Sequence, residues 1–190
     1  MSISFENISF SYGKKQIFRD FSLTIPEGAR IALMGASGSG KSTLLRLAAG
    51  LLSPSAGRVS GIPEGVSFVF QESRLLPQLS ALDNVLLVLY DMDGAENIAR
   101  ELLTELGLGG DMNTLPGSLS GGMARRVALA RALAYPSPLL LLDEAFSGLD
   151  EATRRVAAET VLRHAEGRTI LLATHSEEEA ALLGAEIVRL

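Results

Sequence analysis

Nine residues constrain this chain more than any others: Gly35-Ala36-Ser37-Gly38-Ser39-Gly40-Lys41-Ser42-Thr43. The apolar run Ile31-Ala32-Leu33-Met34 precedes them, and Leu44-Leu45-Arg46-Leu47-Ala48-Ala49-Gly50 follows. Strand, glycine-rich loop and helix in that order are the context a phosphate-binding loop requires. Glycines let successive backbone N–H groups turn inward on an anion, and the helix N-terminus adds the positive end of its dipole. In such a loop Lys41 reaches terminal phosphates and the Ser42 hydroxyl ligates Mg²⁺. A flexible Gly/Ser loop is the bland alternative, and the flanking strand and helix argue against it. Residues 35–43 are therefore expected to cradle a nucleoside triphosphate.

Composition narrows the surroundings of that loop. A length of 190 residues suits one domain with a small inserted lobe, and 47% hydrophobic content is ordinary for an α/β protein. No apolar run approaches the roughly 18 residues of a membrane-spanning helix. The N-terminus lacks the basic stretch and apolar run of a secretory signal. With no cysteine, disulfide frameworks and thiolate metal sites are excluded, and a cytoplasmic location is the default expectation. A formal charge of −5 argues against sequence-independent nucleic-acid binding, so no nucleic-acid partner is expected.

Along the chain, residues 2–12 and 16–25 alternate apolar and polar positions as half-buried strands do, with a turn at Gly13-Lys14-Lys15 and a break at Pro26-Glu27-Gly28. Residues 30–34 form a strand that is apolar from Ile31 onward, and the helix after the glycine loop is expected to end near Gly50. Residues 53–57 read as loop, with short strands at 58–60 and 66–70. A mainly helical insertion follows, carrying helices at 79–90 and 95–106 and a Gly/Asn/Pro-rich connection to Gly117. Ile98, Leu102, Leu103 and Leu106 share one face of its second helix. Ser120-Gly121-Gly122 opens a helix over 123–135, and Leu139-Leu140-Leu141-Leu142 reads as a strand buried on both faces. A charged helix over 151–166, a strand over 169–174, a helix over 176–184 and a short strand from Ile187 complete the chain. Alternating strands and helices give an α/β fold with a mainly parallel sheet. The domain plan is a single unit, with core at 1–71 and 119–190, a small antiparallel β lobe, and the helical insertion at 72–118.

Asp143 and Glu144 end the buried strand, where open α/β sheets bind ligands. Asp143 suits a Mg²⁺ shell and Glu144 a general base polarising water. A helix N-cap pair is the alternative reading of two acids at a strand end.

At these residues the chain resembles the ATP-binding subunits of ABC transporters, over essentially its whole length. Residues 35–43 are similar to the Walker A motif, and Leu139–Asp143 with Glu144 to Walker B. Leu119-Ser120-Gly121-Gly122-Met123 resembles the signature motif, Ser147-Gly148-Leu149-Asp150 the D-loop, and Thr174-His175 the switch histidine. Gln71, in Val69-Phe70-Gln71-Glu72, resembles the Q-loop glutamine, and Tyr12 the aromatic on which adenine stacks; an edge aromatic is its plainer reading.

What the resemblance implies is a P-loop ATPase. Its catalytic set is Glu144, His175, Lys41 and Gln71, and its metal set Ser42, Gln71 and Asp143 around Mg²⁺. Nucleotide contacts come from Tyr12, residues 35–43, and Ser120, Gly121 and Gly122. The last three serve ATP held by a second protomer, so ATP is shared across a head-to-tail homodimer or a pair of ATPase subunits. An integral membrane permease, with a substrate-binding protein, completes the family's assembly, and the ATPase sits peripherally on the inner face of the cell membrane. The segment 71–85 resembles the importer branch that handles nitrate, sulfonates, taurine or pyrimidine precursors, and in the family it receives a permease helix.

Three departures stand out. Met123 replaces the family's usual glutamine, the stretch from Lys41 to Gln71 is short enough to predict a reduced antiparallel lobe, and with three lysines in the chain Lys41 is expected to lack a nearby substitute. Ending at Leu190, the chain is expected to carry no regulatory C-terminal domain. His164, outside any motif, is assigned to the surface. Two competing readings are a soluble ABC ATPase of DNA repair or translation and a P-loop small-molecule kinase. The first usually carries long coiled-coil insertions or paired cassettes, and the second has no use for Ser120-Gly121-Gly122 or His175.

Overall fold

A computed structural model describes residues 2–190. Its N-terminal part is a hairpin of β1 (Ile3–Tyr12) and β2 (Lys15–Ile25), on which β4 (Ala56–Ser60) adds an antiparallel edge, giving the order β2-β1-β4. The second sheet contains β3 (Arg30–Met34), β5 (Val66–Val69), β6 (Leu139–Asp143), β7 (Thr169–Thr174) and β8 (Glu186–Arg189). All its pairs are parallel, in the order β5-β6-β7-β3-β8. The α/β expectation holds, and the antiparallel strands stay segregated in the small sheet.

The four leucines of β6 are fully buried, each worth about 1.5–3 kcal/mol relative to exposure. Successive side chains of a strand point to opposite faces. Leu139 and Leu141 accordingly join Leu33, Leu44, Leu47 and the antiparallel sheet's Phe5 and Ile8 in one apolar layer. Leu140 and Leu142 join a second layer with α4 (Gly121–Ala134) and α5 (Glu151–His164). That double burial is why the run shows no alternation.

Helix α1 (Lys41–Ala48) ends as expected: Gly50 sits at φ 68°, its N–H donates to Leu47 O, and Leu51 N–H donates to Arg46 O. This pair of bonds satisfies carbonyls that the helix end would leave orphaned. In the segment 72–118 the expected helix at 79–90 is shorter and divided into α2 (Ala81–Leu86) and a 3₁₀ turn at Leu87–Leu89. Ser80 caps α2 by accepting from the Asp83 N–H. Buried Asn84 then binds the preceding loop, accepting from Leu76 N–H and donating to the carbonyls of Leu76, Leu79 and Ser80. Helix α3 (Ala95–Glu105) buries Leu102 and Leu103 as its periodicity predicts, and Leu106 just beyond it.

Helix α6 (Glu177–Leu182) is shorter than expected because Ser176 turns out to be its cap. His164 lies at the surface, partly covered at 28% exposure, 3.0 Å from the Glu105 carboxylate, which also accepts from Arg163 at 2.8 Å. Glu105 at the end of α3 makes this a bridge between α3 and α5, which no pattern along the chain predicts. Among the described residues, no helix is long and apolar enough to cross a membrane.

Candidate functional site

The glycine loop leaves the C-terminal end of β3, and Asp143 and Glu144 leave the C-terminal end of β6, with β7 between them. Parallel pairing puts all three ends on one edge of the sheet, where α/β proteins bind ligands. A cleft of about 280 Å³ opens there. Of the residues expected to act together, Tyr12, Ser37, Gly38, Gly40, Lys41, Ser42, Thr43, Gln71 and Glu144 line it.

Gly40, the N-cap of α1, sits at φ 108°, and a Cβ there would approach Ile17 and Phe18 of β2 to 2.7 Å. Both backbone freedom and close packing against the hairpin demand glycine. The Lys41 ammonium bends back over its own loop, donating to Gly35 O at 2.8 Å and Ala36 O at 3.1 Å. Lys41 is buried, so these bonds hold its charge in place before any ligand arrives. Ser39 lies behind the loop, its N–H donating to Ala36 O and its hydroxyl buried without a partner. Gly35, Ala36 and Ser39 thus support the cradle from behind.

Across 101 residues of sequence, Ser42 Oγ donates to Asp143 Oδ1 at 2.8 Å. Asp143 Oδ2 is buried and has no partner. Burial pushes the Asp143 carboxyl above its usual range, and the Ser42 bond pulls it partly back. A buried hydroxyl–carboxylate pair with one oxygen unsatisfied is a fitting donor set for a hard divalent cation with oxygen ligands. Ser42 and Asp143 could hold Mg²⁺, with Gln71 on the cleft wall beside them.

Glu144 stands at φ 49°, a left-handed conformation costing a non-glycine residue about 1–2 kcal/mol. Its N–H donates to Ala173 O at 3.0 Å, its carbonyl accepts from Arg125 at 3.3 Å, and its Oε2 accepts from Gln71 Nε2 at 3.2 Å. Strain so supported turns the carboxylate into the cleft, where it can accept a proton from water. The helix-cap alternative for the two acids does not hold here: the residue that caps the next helix, α5, is Asp150, which accepts from Thr153 N–H at 2.9 Å. That backbone hydrogen bond, with the Thr153 hydroxyl, holds the Asp150 carboxyl below its usual range.

Two expected members lie elsewhere in the single chain. His175 is exposed and lines a neighbouring cavity of about 380 Å³ with Ser147, Gly148 and Arg154. Ser120, Gly121 and Gly122 do not line the cleft. Ser120 Oγ accepts from Met123 N–H at 3.2 Å, and a Cβ on Gly122 would touch Leu149 at 3.4 Å. The 120–122 turn therefore abuts the 147–150 turn and lies outside the cleft of its own glycine loop. Met123 packs against the apolar layer around α4, which accounts for an apolar side chain at that position.

Three residues in or beside the cleft escaped the reading of the sequence. Arg125 reaches from α4 to the carbonyls of Phe70, at 3.5 Å, and Glu144. Lys15 and Ile17 line the cleft from β2. The expectation that Lys41 has no nearby substitute is therefore corrected: hairpin pairing sets Lys15 opposite Tyr12 and brings a second ammonium to the loop. The short turn after Tyr12 was the available signal.

Comparison with known proteins agrees with this geometry. The ABC transporter family matches residues 18–147, more than half of the chain. The chain belongs to the ABC transporter family. This ABC ATPase is 41% identical over 192 residues to the aliphatic sulfonates import ATP-binding protein SsuB 1 of Paracoccus denitrificans, covering 98% of this chain and 78% of that relative. It is 44% identical to SsuB 3 of Paraburkholderia xenovorans, covering 99% of this chain and 76% of the relative. Among solved structures, the ABC ATPase matches the ATP-binding cassette MJ0796 in a dimeric post-hydrolysis state bound to ADP and Pi. The TM-score is 0.86 at 31% identity, over 99% of this chain and 94% of the other. A second dimeric structure of MJ0796, a bacterial ABC transporter cassette, gives a TM-score of 0.88.

Proposed function

We propose that this ABC ATPase binds ATP with Mg²⁺ and hydrolyses it within a pair of subunits, driving a separate membrane permease that imports aliphatic sulfonates or similar small organic anions. The Ser42–Asp143 hydrogen bond carries the chemistry, because it joins the phosphate cradle to the end of β6 and leaves a buried carboxylate oxygen for a cation. Ser42 and Asp143 would hold Mg²⁺, which would supply charge neutralisation to the phosphates when bound. Lys41 and the amides of residues 35–43 hold the triphosphate. Glu144 takes the proton as water attacks the γ-phosphate, the bond to the leaving ADP oxygen breaks, and ADP and phosphate result.

Residues 120–122 are absent from the cleft's lining, which supports reading the cleft as half of a site, completed by those residues of a second copy in head-to-tail arrangement. Backbone N–H groups at the start of α4 suit a γ-phosphate, and a Cβ on Gly121 would meet nothing within 4 Å, so that turn is open to a partner. His175 and the 147–150 turn adjoin the same surface and would meet the shared nucleotide on pairing. Residues 72–118 form the helical unit in this reading, and their segment to Val85 receives the permease. The ATPase then lies on the inner face of the membrane by attachment to that permease.

The transport half of the proposal rests on 41–44% identity, over nearly the whole chain, to proteins named as aliphatic sulfonate import subunits. It is tested in cells lacking this protein by following uptake of radiolabelled ethanesulfonate. Uptake should fall to background and return with the parent chain but not with Lys41→Ala. Unchanged sulfonate uptake in the deleted strain would refute the substrate assignment.

A further inference from the structure

We infer that Lys15 is a second nucleotide-binding cation, holding the α- and β-phosphates from the hairpin side of the cleft. The inference rests on the reading of residues 35–43 as the nucleotide loop and assigns a residue outside every motif. Lys15 Nζ lies 3.4 Å from where a Cβ on Gly38 would stand, at the middle of the glycine loop. Among the described residues, no carboxylate lies within 4.0 Å of its ammonium. Lys41, by contrast, is already engaged by two loop carbonyls.

The backbone fixes this placement. Lys15 and Ile17 of β2 both line the cleft, with an irregularity in the pairing to β1 between Gln16 and Phe18. Ile17 is pressed against the loop so closely that a Cβ on Gly40 would meet it at 2.7 Å. Lys15, paired with Tyr12 across the hairpin, therefore stands between the aromatic platform and the centre of the loop. A base stacked on Tyr12 and a terminal phosphate near Lys41 leave the α- and β-phosphates beside Lys15. A free lysine ammonium is a mobile point charge on a four-carbon stem, suited to a phosphate that has no fixed carboxylate competitor. Lys14 precedes it in the turn and does not line the cleft, which makes it an internal control of equal charge.

The test measures equilibrium binding of ATP, ADP and adenosine to the full chain, by calorimetry at low salt, for the parent, Lys15→Ala, Lys15→Arg and Lys14→Ala. Loss of one partly solvated charge contact predicts an ATP Kd about three- to tenfold weaker for Lys15→Ala. ADP should weaken by a similar factor and adenosine should not change. Lys15→Arg and Lys14→Ala should stay within about twofold of the parent, and added salt should narrow the Lys15→Ala gap. Equal affinities for Lys15→Ala and Lys14→Ala overturn the inference, as does a loss confined to ATP with ADP unaffected. A parent chain that binds no ATP overturns the nucleotide reading itself; Lys41→Ala losing ATP while Lys15→Ala keeps parent affinity overturns this inference alone. Lys15 is exposed, so matched thermal midpoints are expected and confirm that each variant is folded.

Discussion

Ser42→Ala tests whether the Ser42–Asp143 bond holds the cradle before any ligand binds. The bond is 2.8 Å, partly buried, and ends on a carboxylate. Hydrogen bonds to charged groups contribute about 1.5–3 kcal/mol, so the variant should lose that much stability near neutral pH. Removing the hydroxyl also leaves Asp143 with both carboxylate oxygens unpartnered, because Oδ2 has no partner already. For a chain of this size, about 2–4 °C of Tm per kcal/mol gives a fall of about 3–12 °C. Thermal unfolding without nucleotide or divalent metal reads it directly. The sign of the pH dependence follows from burial, which raises the Asp143 pKa, and from the Ser42 bond, which opposes that rise. Without Ser42 the folded-state pKa climbs further while the unfolded value stays put. The deficit is therefore complete above the variant's folded pKa and shrinks as pH falls through the parent's, leaving about 0.5–1.5 kcal/mol for a neutral hydrogen bond. A Tm change below about 1 °C at neutral pH, or a deficit equal in acid and at neutrality, refutes the reasoning.

Glu144→Gln should retain ATP binding and lower the rate of phosphate release by about 10²–10⁴-fold, trapping the ATP-bound pair, as sedimentation with ATP would reveal. Hydrolysis at the parent rate would remove Glu144 from the chemistry. Arg168→Met should stabilise the fold. The buried Arg168 guanidinium donates to the hydroxyls of Ser67 and Ser137, at 2.9 and 2.6 Å, and burial pushes its pKa down to about 10. Its charged form is thus penalised in the folded state at all pH below about 10, and the penalty fades as pH rises from there towards the ordinary arginine range. After allowance for screening that is about 1–3 kcal/mol at pH 7. The serines keep each other, since Ser137 Oγ donates to Ser67 Oγ at 2.7 Å. Urea unfolding measures the gain, and a loss above about 1 kcal/mol would show that the arginine's hydrogen bonds outweigh its desolvation.

Much of the fold was legible because its signals are local. The all-leucine β6 run, the Ser120 cap of α4 and the glycine stop after α1 each declare an element within a few residues. Element ends were less legible where a cap lay inside the expected helix, as Ser176 does before α6, or where α2 tightened into a 3₁₀ turn. The partner of His164 was not legible because Glu105 is 59 residues away, and nothing on its own helix marks the pair.

The amino-acid sequence alone determined which groups this protein has for phosphate chemistry and their order along the chain, because a glycine loop between strand and helix works through backbone geometry set by adjacent residues. Only the tertiary structure decided which of those groups meet. Parallel pairing of β3, β7 and β6 brings Ser42 to Asp143, and pairing of β5 with β6 brings Gln71 to Glu144. Hairpin pairing brings Lys15 to Gly38, while His175 and residues 120–122 are left on surfaces outside the cleft. Proximity between residues remote in sequence depends on strand order and register, which local patterns do not encode.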